Sequence, residues 1–332
     1  MDREQEEMQF LGFFGIIKES IKIIFTWRKI FSQITVALIF PLSLIFLAYI
    51  EISDLLFGKI SQDELKLNGA EADTPKYNKL LDLVTSDLIE LWLFKAAYLV
   101  LYLIFSLLST SAVVYTIACV YTSQSITFGR VMSVVPKVWK RLMVTFVWSF
   151  FVVFVYNVLT FVVVYLLIVL IQSFAAVLAL LIILFIVYFS GLVYITVIWH
   201  LAAVISVLED TYGIQAMFKS KNLIKGKMGV SAALFLLLII GSVVIQTVFN
   251  NLAANGSGSG FARLGVAILC FLLLFKWILF SLVVQTVIYF LCKSYHHENI
   301  DKLALADHLE VYLLAGYVPL KSQDLQLEQV AV

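Results

Sequence analysis

Thr127-Phe128-Gly129-Arg130-Val131-Met132-Ser133-Val134-Val135-Pro136-Lys137-Val138-Trp139-Lys140-Arg141-Leu142 is the stretch on which the reading of the chain turns. On a helix, Phe128, Val131, Val135, Val138 and Leu142 share one face, while Arg130, Ser133, Lys137 and Lys140 share the opposite one. Pro136 marks either a helix start or a kink. A long apolar run follows directly. A basic amphipathic segment leading into such a run has the pattern of a helix lying in a membrane interface.

Composition agrees. Of 332 residues, 62% are hydrophobic and 14% charged, and the mean hydropathy is +1.00. Soluble domains are about 45–50% apolar and about 25% charged, so this is the composition of an integral membrane protein. The net charge of +1 gives no basic field for a nucleic acid. Cys119, Cys270 and Cys292 lie in or beside apolar runs and make no disulfide framework. The acidic start, Met1-Asp2-Arg3-Glu4-Gln5-Glu6-Glu7, is not that of a cleavable signal peptide.

Apolar runs place six spans at about 34–50, 91–121, 142–170, 174–207, 228–250 and 264–292. The expected fold is therefore all-α, a six-helix membrane bundle over residues 1–310 with a cytoplasmic tail over 311–332. Pro41 should kink the first span. Residues 51–90 read as one long polar connection with its tip at Asn68-Gly69-Ala70-Glu71-Ala72-Asp73-Thr74-Pro75. Leu80, Leu81, Val84, Leu88 and Leu91 recur at helical spacing, so the second helix should start before it reaches lipid.

Two other segments resemble the first one quoted. Phe14-Gly15, Phe128-Gly129 and Tyr212-Gly213 each open a basic amphipathic stretch, and Arg28-Lys29, Lys140-Arg141 and Lys225-Gly226-Lys227 close them. The closing clusters begin 13, 11 and 12 residues after the glycines. The spacing suggests three cytoplasmic interfacial helices in a threefold repeat of two-span units. A chance likeness among basic juxtamembrane segments is the competing reading.

Charge sets the expected orientation. Segments 1–33, 122–141, 208–227 and 293–332 hold 5, 4, 4 and 3 Lys or Arg, whereas the opposite loops 51–90, 171–173 and 251–263 hold four, none and one. Lys and Arg collect on the cytoplasmic side, so both termini should be cytoplasmic, in the endoplasmic reticulum or plasma membrane. Lys18, Lys22, Arg28, Lys29, Arg130, Lys137, Lys140, Arg141, Lys219, Lys221, Lys225 and Lys227 would then face the anionic inner leaflet.

Within the spans, Lys276 sits at the middle of an apolar run and should turn into the bundle towards a polar partner. Asn157, His200, Gln246 and Gln285 complete the candidate intramembrane polar site. The ordinary alternatives are a snorkelling Lys276, Asn157 as a hydrogen bond between helices, and His200 paired with Trp199 near an interface. Glu209 and Asp210 would pair with nearby lysines or cap the third stretch. In the tail, His297 and Asp301 share a helical face, but His308 lies too far along to complete a metal site. The sequence carries no GxSxG, HExxH or GxxxxGK[ST] signature, so no catalytic residue, metal or cofactor is assigned. Asn255-Gly256-Ser257 is a glycosylation sequon on the outer side, close to the membrane.

The C-terminal residues Cys292-Lys293-Ser294-Tyr295-His296-His297-Glu298, Asp307-His308-Leu309-Glu310-Val311-Tyr312-Leu313 and Gly316-Tyr317-Val318-Pro319-Leu320 resemble the tail of a plant family of uncharacterised multi-pass transmembrane proteins. The resemblance implies a membrane location and no particular reaction. About 20 residues, from Val207-Leu208-Glu209-Asp210-Thr211-Tyr212-Gly213 to Lys225-Gly226, are similar to a segment in membrane domains attached to some bacterial glycerophosphodiester phosphodiesterases. The catalytic domain of those enzymes is absent here.

Three functions follow as expectations. The first is a non-enzymatic membrane protein organising lipid, or a protein partner bound through the tail, at the cytoplasmic face. The second is a carrier of an anionic or amphiphilic small molecule with Lys276 in its pathway. The third is an intramembrane enzyme acting on a lipid or terpenoid.

Overall fold

Backbone amides in hydrocarbon have no water to bond, so apolar runs of this length close their hydrogen bonds internally as helices. A computed structural model of the chain describes residues 9–69, 74–122, 126–171, 173–254 and 260–296, and among these the regular structure is helical throughout. The elements are α1 (Phe13–Thr26), α2 (Arg28–Ile34), a π-helical turn (Thr35–Ile39), α3 (Phe40–Asn68), α4 (Pro75–Tyr121) and α5 (Phe128–Leu170). Then follow α6 (Phe174–Leu208), α7 (Ile214–Leu223), α8 (Met228–Val248), a second π-helical turn (Phe249–Ala254) and α9 (Gly260–Tyr295). Six helices are long and apolar enough to cross a membrane, as the hydropathy implied. The chain is a membrane protein of this class. The N-terminal acidic run, the sequon at Asn255 and the tail with His297, Asp301 and His308 lie outside the described residues.

The break expected at Pro41 takes a specific form. Proline has no N–H and its ring crowds the carbonyl four residues back, here Ala37. The π-helical turn Thr35–Ile39 surrounds that carbonyl, and α3 restarts with Pro41 in its first turn.

The polar connection 51–90 is helical rather than a loop. α3 runs to Asn68 and α4 starts at Pro75, so only the tip lies between them. Thr74 caps α4 by accepting from the Tyr77 N–H at 3.2 Å. The two helices hold together because Ile60, Val84 and Leu91 are buried between them, with Lys59 donating to Asp87 at 2.7 Å. At 1.5 Å per residue, the 47 residues of α4 span about 70 Å, well beyond the roughly 45 Å of a bilayer with headgroups. A helix of that length reaches beyond the bilayer, at the end of the bundle away from the basic segments.

The main core sits at the end of the bundle that carries the basic segments. Ile16, Phe31, Tyr115, Val135, Ile205 and Tyr289 are among its fully buried members. Away from this base the helices run outward as hairpins. α5 and α6 are joined there by a Tyr156–Tyr188 stack at 5.5 Å, and α3 and α4 by a Tyr49–Tyr98 stack at 3.9 Å. The outer parts of α5 and α6 expose residues such as Phe161, Leu170 and Phe185, as lipid-facing surface does.

The three basic stretches take three different forms. The first is a separate helix, α1, whose Ile16, Ser20 and Ile23 pack on the base while Phe14, Ile21 and Phe25, with Phe10 just before it, point outward. The second is not a separate interfacial helix. It is the opening of the long helix α5, with Pro136 inside it. Its stripe Val131, Val135, Val138 and Leu142 is 0–1% exposed, covered by protein rather than lipid. The third is α7, which buries Met217 and leaves Phe218 exposed.

Candidate functional site

The twelve basic candidates at the base are all exposed or half-buried. Lys22 lies 3.7 Å from Glu19 within α1, and two further acidic partners come from the short α6–α7 connection. Arg141 donates to Asp210 at 2.8 Å, at the surface. Glu209 is more enclosed, with a side chain 13% exposed. Its Oε1 accepts from the Tyr289 hydroxyl at 2.7 Å and from Lys293 Nζ at 3.2 Å, and Lys219 Nζ lies 2.6 Å from Oε2. Burial opposes the Glu209 charge, but the hydrogen bonds from Lys219 and Tyr289 and the charge of Lys293 outweigh it and hold the carboxyl below its ordinary range. The pairing expected with the third stretch is thus present for Glu209, and Asp210 turns to the second stretch instead.

The same connection is fixed from below. Gly213 has φ +66°, and its N–H donates to Thr145 Oγ1 at 2.7 Å. Thr145 Oγ1 also lies 2.6 Å from Ser206 Oγ. A methyl on Gly213 would meet Trp148 and Val144 at 3.2 and 3.3 Å, so this turn uses both the backbone freedom and the small size of glycine.

Above the base lies a cavity of about 380 Å³, where α3, α4, α5, α6, α8 and α9 diverge. This is near the lower end of the roughly 300–1,000 Å³ usual for ligand sites. Along α8 it reaches from Phe235 to Gln246, roughly 16 Å of helix rise. It is partly open, and the lining residues Ile239 and Val243 are themselves 40% and 52% exposed, which puts the mouth on the α8 flank. Trp277 forms part of the wall. Its Nε1 donates to the Leu238 carbonyl at 2.9 Å, and its indole packs where any side chain on Gly241 would stand.

Three of the five candidate polar residues meet here: His200, Gln246 and Gln285 all line the cavity. His200 Nδ1 is 2.9 Å from Gln285 Oε1. An amide oxygen only accepts, so Nδ1 carries the proton and Nε2 keeps its lone pair. The imidazole is held between Trp199 and Phe235, with centroids at 5.4 and 4.8 Å and ring planes within 14° in both cases.

The other two candidates lie elsewhere. Asn157 ties α5 to α6, donating to the Val153 carbonyl and accepting from the Tyr188 hydroxyl, each at 2.8 Å. Lys276 does not turn inward. It is exposed on α9, off the cavity, because the inward positions of that helix are taken by Leu274, Trp277, Ile278 and Ser281. In a bilayer its long stem lets the ammonium snorkel towards headgroups.

Sequence reasoning missed Tyr102, Ser106, Ser281 and Trp277 as lining residues. Each is a single polar-tipped side chain within an apolar run, and that was the available signal. Among the described residues no three His, Cys, Asp or Glu side chains cluster as a metal set, and the three cysteines are buried and form no disulfide.

No curated protein and no solved structure matches the chain. The comparisons show no link to glycerophosphodiester phosphodiesterases. A family model does match, over residues 1–330, and by that match the chain belongs to the family described as Domain of unknown function (DUF8558).

Proposed function

We propose that this is a non-enzymatic membrane protein that holds a lipid-like molecule inside its bundle and orders lipid at its cytoplasmic face. The observation that carries this reading is the cavity, an aromatic and aliphatic slot with a few polar groups on its walls. None of its lining residues is Asp, Glu, Lys or Arg. His200 is the ordinary general base on this wall, and no lining hydroxyl is shown bonded to it, so the site presents no activated nucleophile. A carrier remains compatible with the cavity, but what supports it is the slot rather than Lys276.

The test uses the full chain in phosphatidylcholine nanodiscs with a photoactivatable long-chain alkyl probe. Adducts should concentrate on peptides containing Trp199–Ala203, Phe235–Gln246 and Trp277–Gln285. Ser242→Trp, which fills the mouth, should remove most of them. Adducts spread evenly over the outward surfaces, with no preference for the cavity, would defeat the proposal.

The lipid-ordering part rests on α1. Its Phe14 is 80% exposed, beside exposed Lys18 and Lys22, which suits a helix resting in an anionic interface. The charge asymmetry of the sequence supports a cytoplasmic orientation for this face, in the endoplasmic reticulum or plasma membrane. Each charge is worth about 1 kcal/mol at such a surface. Lys18→Glu with Lys22→Glu should cut co-purifying anionic phospholipid several-fold without changing zwitterionic lipid. Unchanged anionic lipid would remove α1 from this role. The C-terminal tail, proposed as a contact for a protein partner, lies outside the described residues.

A further inference from the structure

We infer that the cavity recognises an uncharged lipid through a free hydroxyl group, read by His200 and Gln285. This deepens the proposal that the cavity holds a lipid-like molecule and rests on it.

The polar groups in the slot divide into two sets. Ser109, Thr110 and Ser242 spend their hydroxyls on carbonyls of their own helices at 2.6, 2.9 and 3.0 Å. They need nothing from a ligand. By contrast, no hydrogen bond is shown for Gln285 Nε2, the Gln246 carboxamide or the Tyr102, Ser106 and Ser281 hydroxyls, all on residues that line the cavity. Gln285 is 3% exposed, so its amide is enclosed by the protein and the cavity. A polar group left unmatched in an apolar setting is costly, and these side chains line one slot.

Charge decides the ligand class. A carboxylate or phosphate would enter a wall without a cation, and an amine would enter one without an anion; both would lose their hydration with no ion to replace it. An uncharged group avoids that penalty. His200 Nδ1 is committed to Gln285 Oε1, which leaves an acceptor on His200 Nε2 and a donor on Gln285 Nε2. A hydroxyl both donates and accepts, so one –OH answers both. An ether or ester oxygen answers only the donor. The Trp199 and Phe235 rings on either side of His200 supply flat apolar surface for the first carbons behind that hydroxyl. The tail leaves through the mouth beside Val243 into hydrocarbon, so the cavity needs to enclose only the head and the first part of the chain.

Sterols and diacylglycerols share this chemistry, a free hydroxyl on an otherwise uncharged lipid, and the experiment separates them. Full-length protein in phosphatidylcholine nanodiscs is irradiated with a photoactivatable sterol, with a photoactivatable diacylglycerol, with the methyl ether of each, and with a photoactivatable palmitic acid. At least one alcohol should label the cavity peptides about tenfold or more above its own ether, the scale of losing a hydrogen bond to an enclosed polar partner. Whichever alcohol does so identifies the source. Gln285→Leu should erase the difference between alcohol and ether. If that variant does not fold, the comparison on the unsubstituted protein decides alone. Equal labelling by alcohol and ether, or preferred labelling by palmitic acid, overturns the hydroxyl assignment while leaving the lipid-binding proposal intact. Absence of cavity labelling by every probe overturns both.

Discussion

Glu209→Ala should lower the thermal stability of the solubilised protein more than removal of any other single charge at its base. The carboxylate joins three helices, accepting from Tyr289 and Lys293 of α9 and pairing with Lys219 of α7 at the end of α6. Its loss takes the carboxylate from the Tyr289 hydroxyl and from the half-buried Lys293, which keeps only the longer 3.3 Å hydrogen bond to Tyr289 Oη among the described residues. Lys219 is 37% exposed and recovers water, so its share is small. The expected cost is about 2–3 kcal/mol, a drop of several degrees in Tm. Arg141→Ala removes a surface pair to the 75%-exposed Asp210 and should cost less than about 1 kcal/mol. The pH dependence is specific. A carboxyl held below its ordinary value adds stability above its unfolded pKa of about 4.5, and that stability is lost as pH falls through the lower folded value. Glu209→Gln should therefore differ most from the unsubstituted protein near neutral pH, and the gap should close in acid below about 4.5. A gap of constant size from neutral to acid would show that the charge is not what matters.

The second large effect belongs to Gly226, in the turn between α7 and α8. Its φ is +89°, where a side chain is strained, and a Cβ would stand 2.5 and 2.9 Å from ring atoms of Tyr295. Gly226→Ala should cost about 2 kcal/mol or more in backbone strain alone, and Gly226→Val more. The ring has other duties. Lys227 Nζ sits 5.0 Å from the Tyr295 centroid and donates to the Gln9 carbonyl at 2.8 Å. Displacing Tyr295 should thus loosen the chain before α1, seen as faster proteolysis there. Gly229→Ala is the control: nothing lies within 4 Å of its would-be Cβ, and alanine in the first turn of α8 should be neutral or slightly stabilising. Equal losses from both substitutions would contradict this account of the turn.

The six spans were legible because each is a long apolar run, and hydrocarbon leaves a helix as the only open form for such a run. The stretch Thr127–Leu142 shows where legibility stopped. Its period gave the apolar stripe correctly, but a stripe does not record whether lipid or protein covers it, and here α5 turns it to the core. The connection 51–90 misled in the opposite sense. Its acidic residues suggested solvent, and Asp54, Glu64, Asp82 and Glu90 are exposed, but Asp87 is buried against Lys59, and Ile60, Val84 and Leu91 bury the same face and keep both helices going. For the cavity, sequence supplied the residue types without their meeting. His200 and Gln285 are 85 residues apart, and only packing of α6 on α9 brings them to 2.9 Å. Lys276 was marked for its depth in an apolar run. Depth is visible in sequence, whereas the rotation of α9 that turns the side chain outward is set by neighbouring helices.

The seating of α1 imposes an order of events on synthesis. This helix packs chiefly on α9 and then on α8, the last two spans to be made. Ile16, wholly buried at the end, meets its covering residues only after about 270 further residues have been translated. At roughly 5–20 residues per second, that is a wait of about 15–50 seconds. During it Ile16 and Ile23 have no protein cover, and the outward Phe14 and Phe25 offer a place to wait on the bilayer surface. The first of the described helices is in this sense the last to be installed, and a nascent chain halted before Gly260 would leave it unseated.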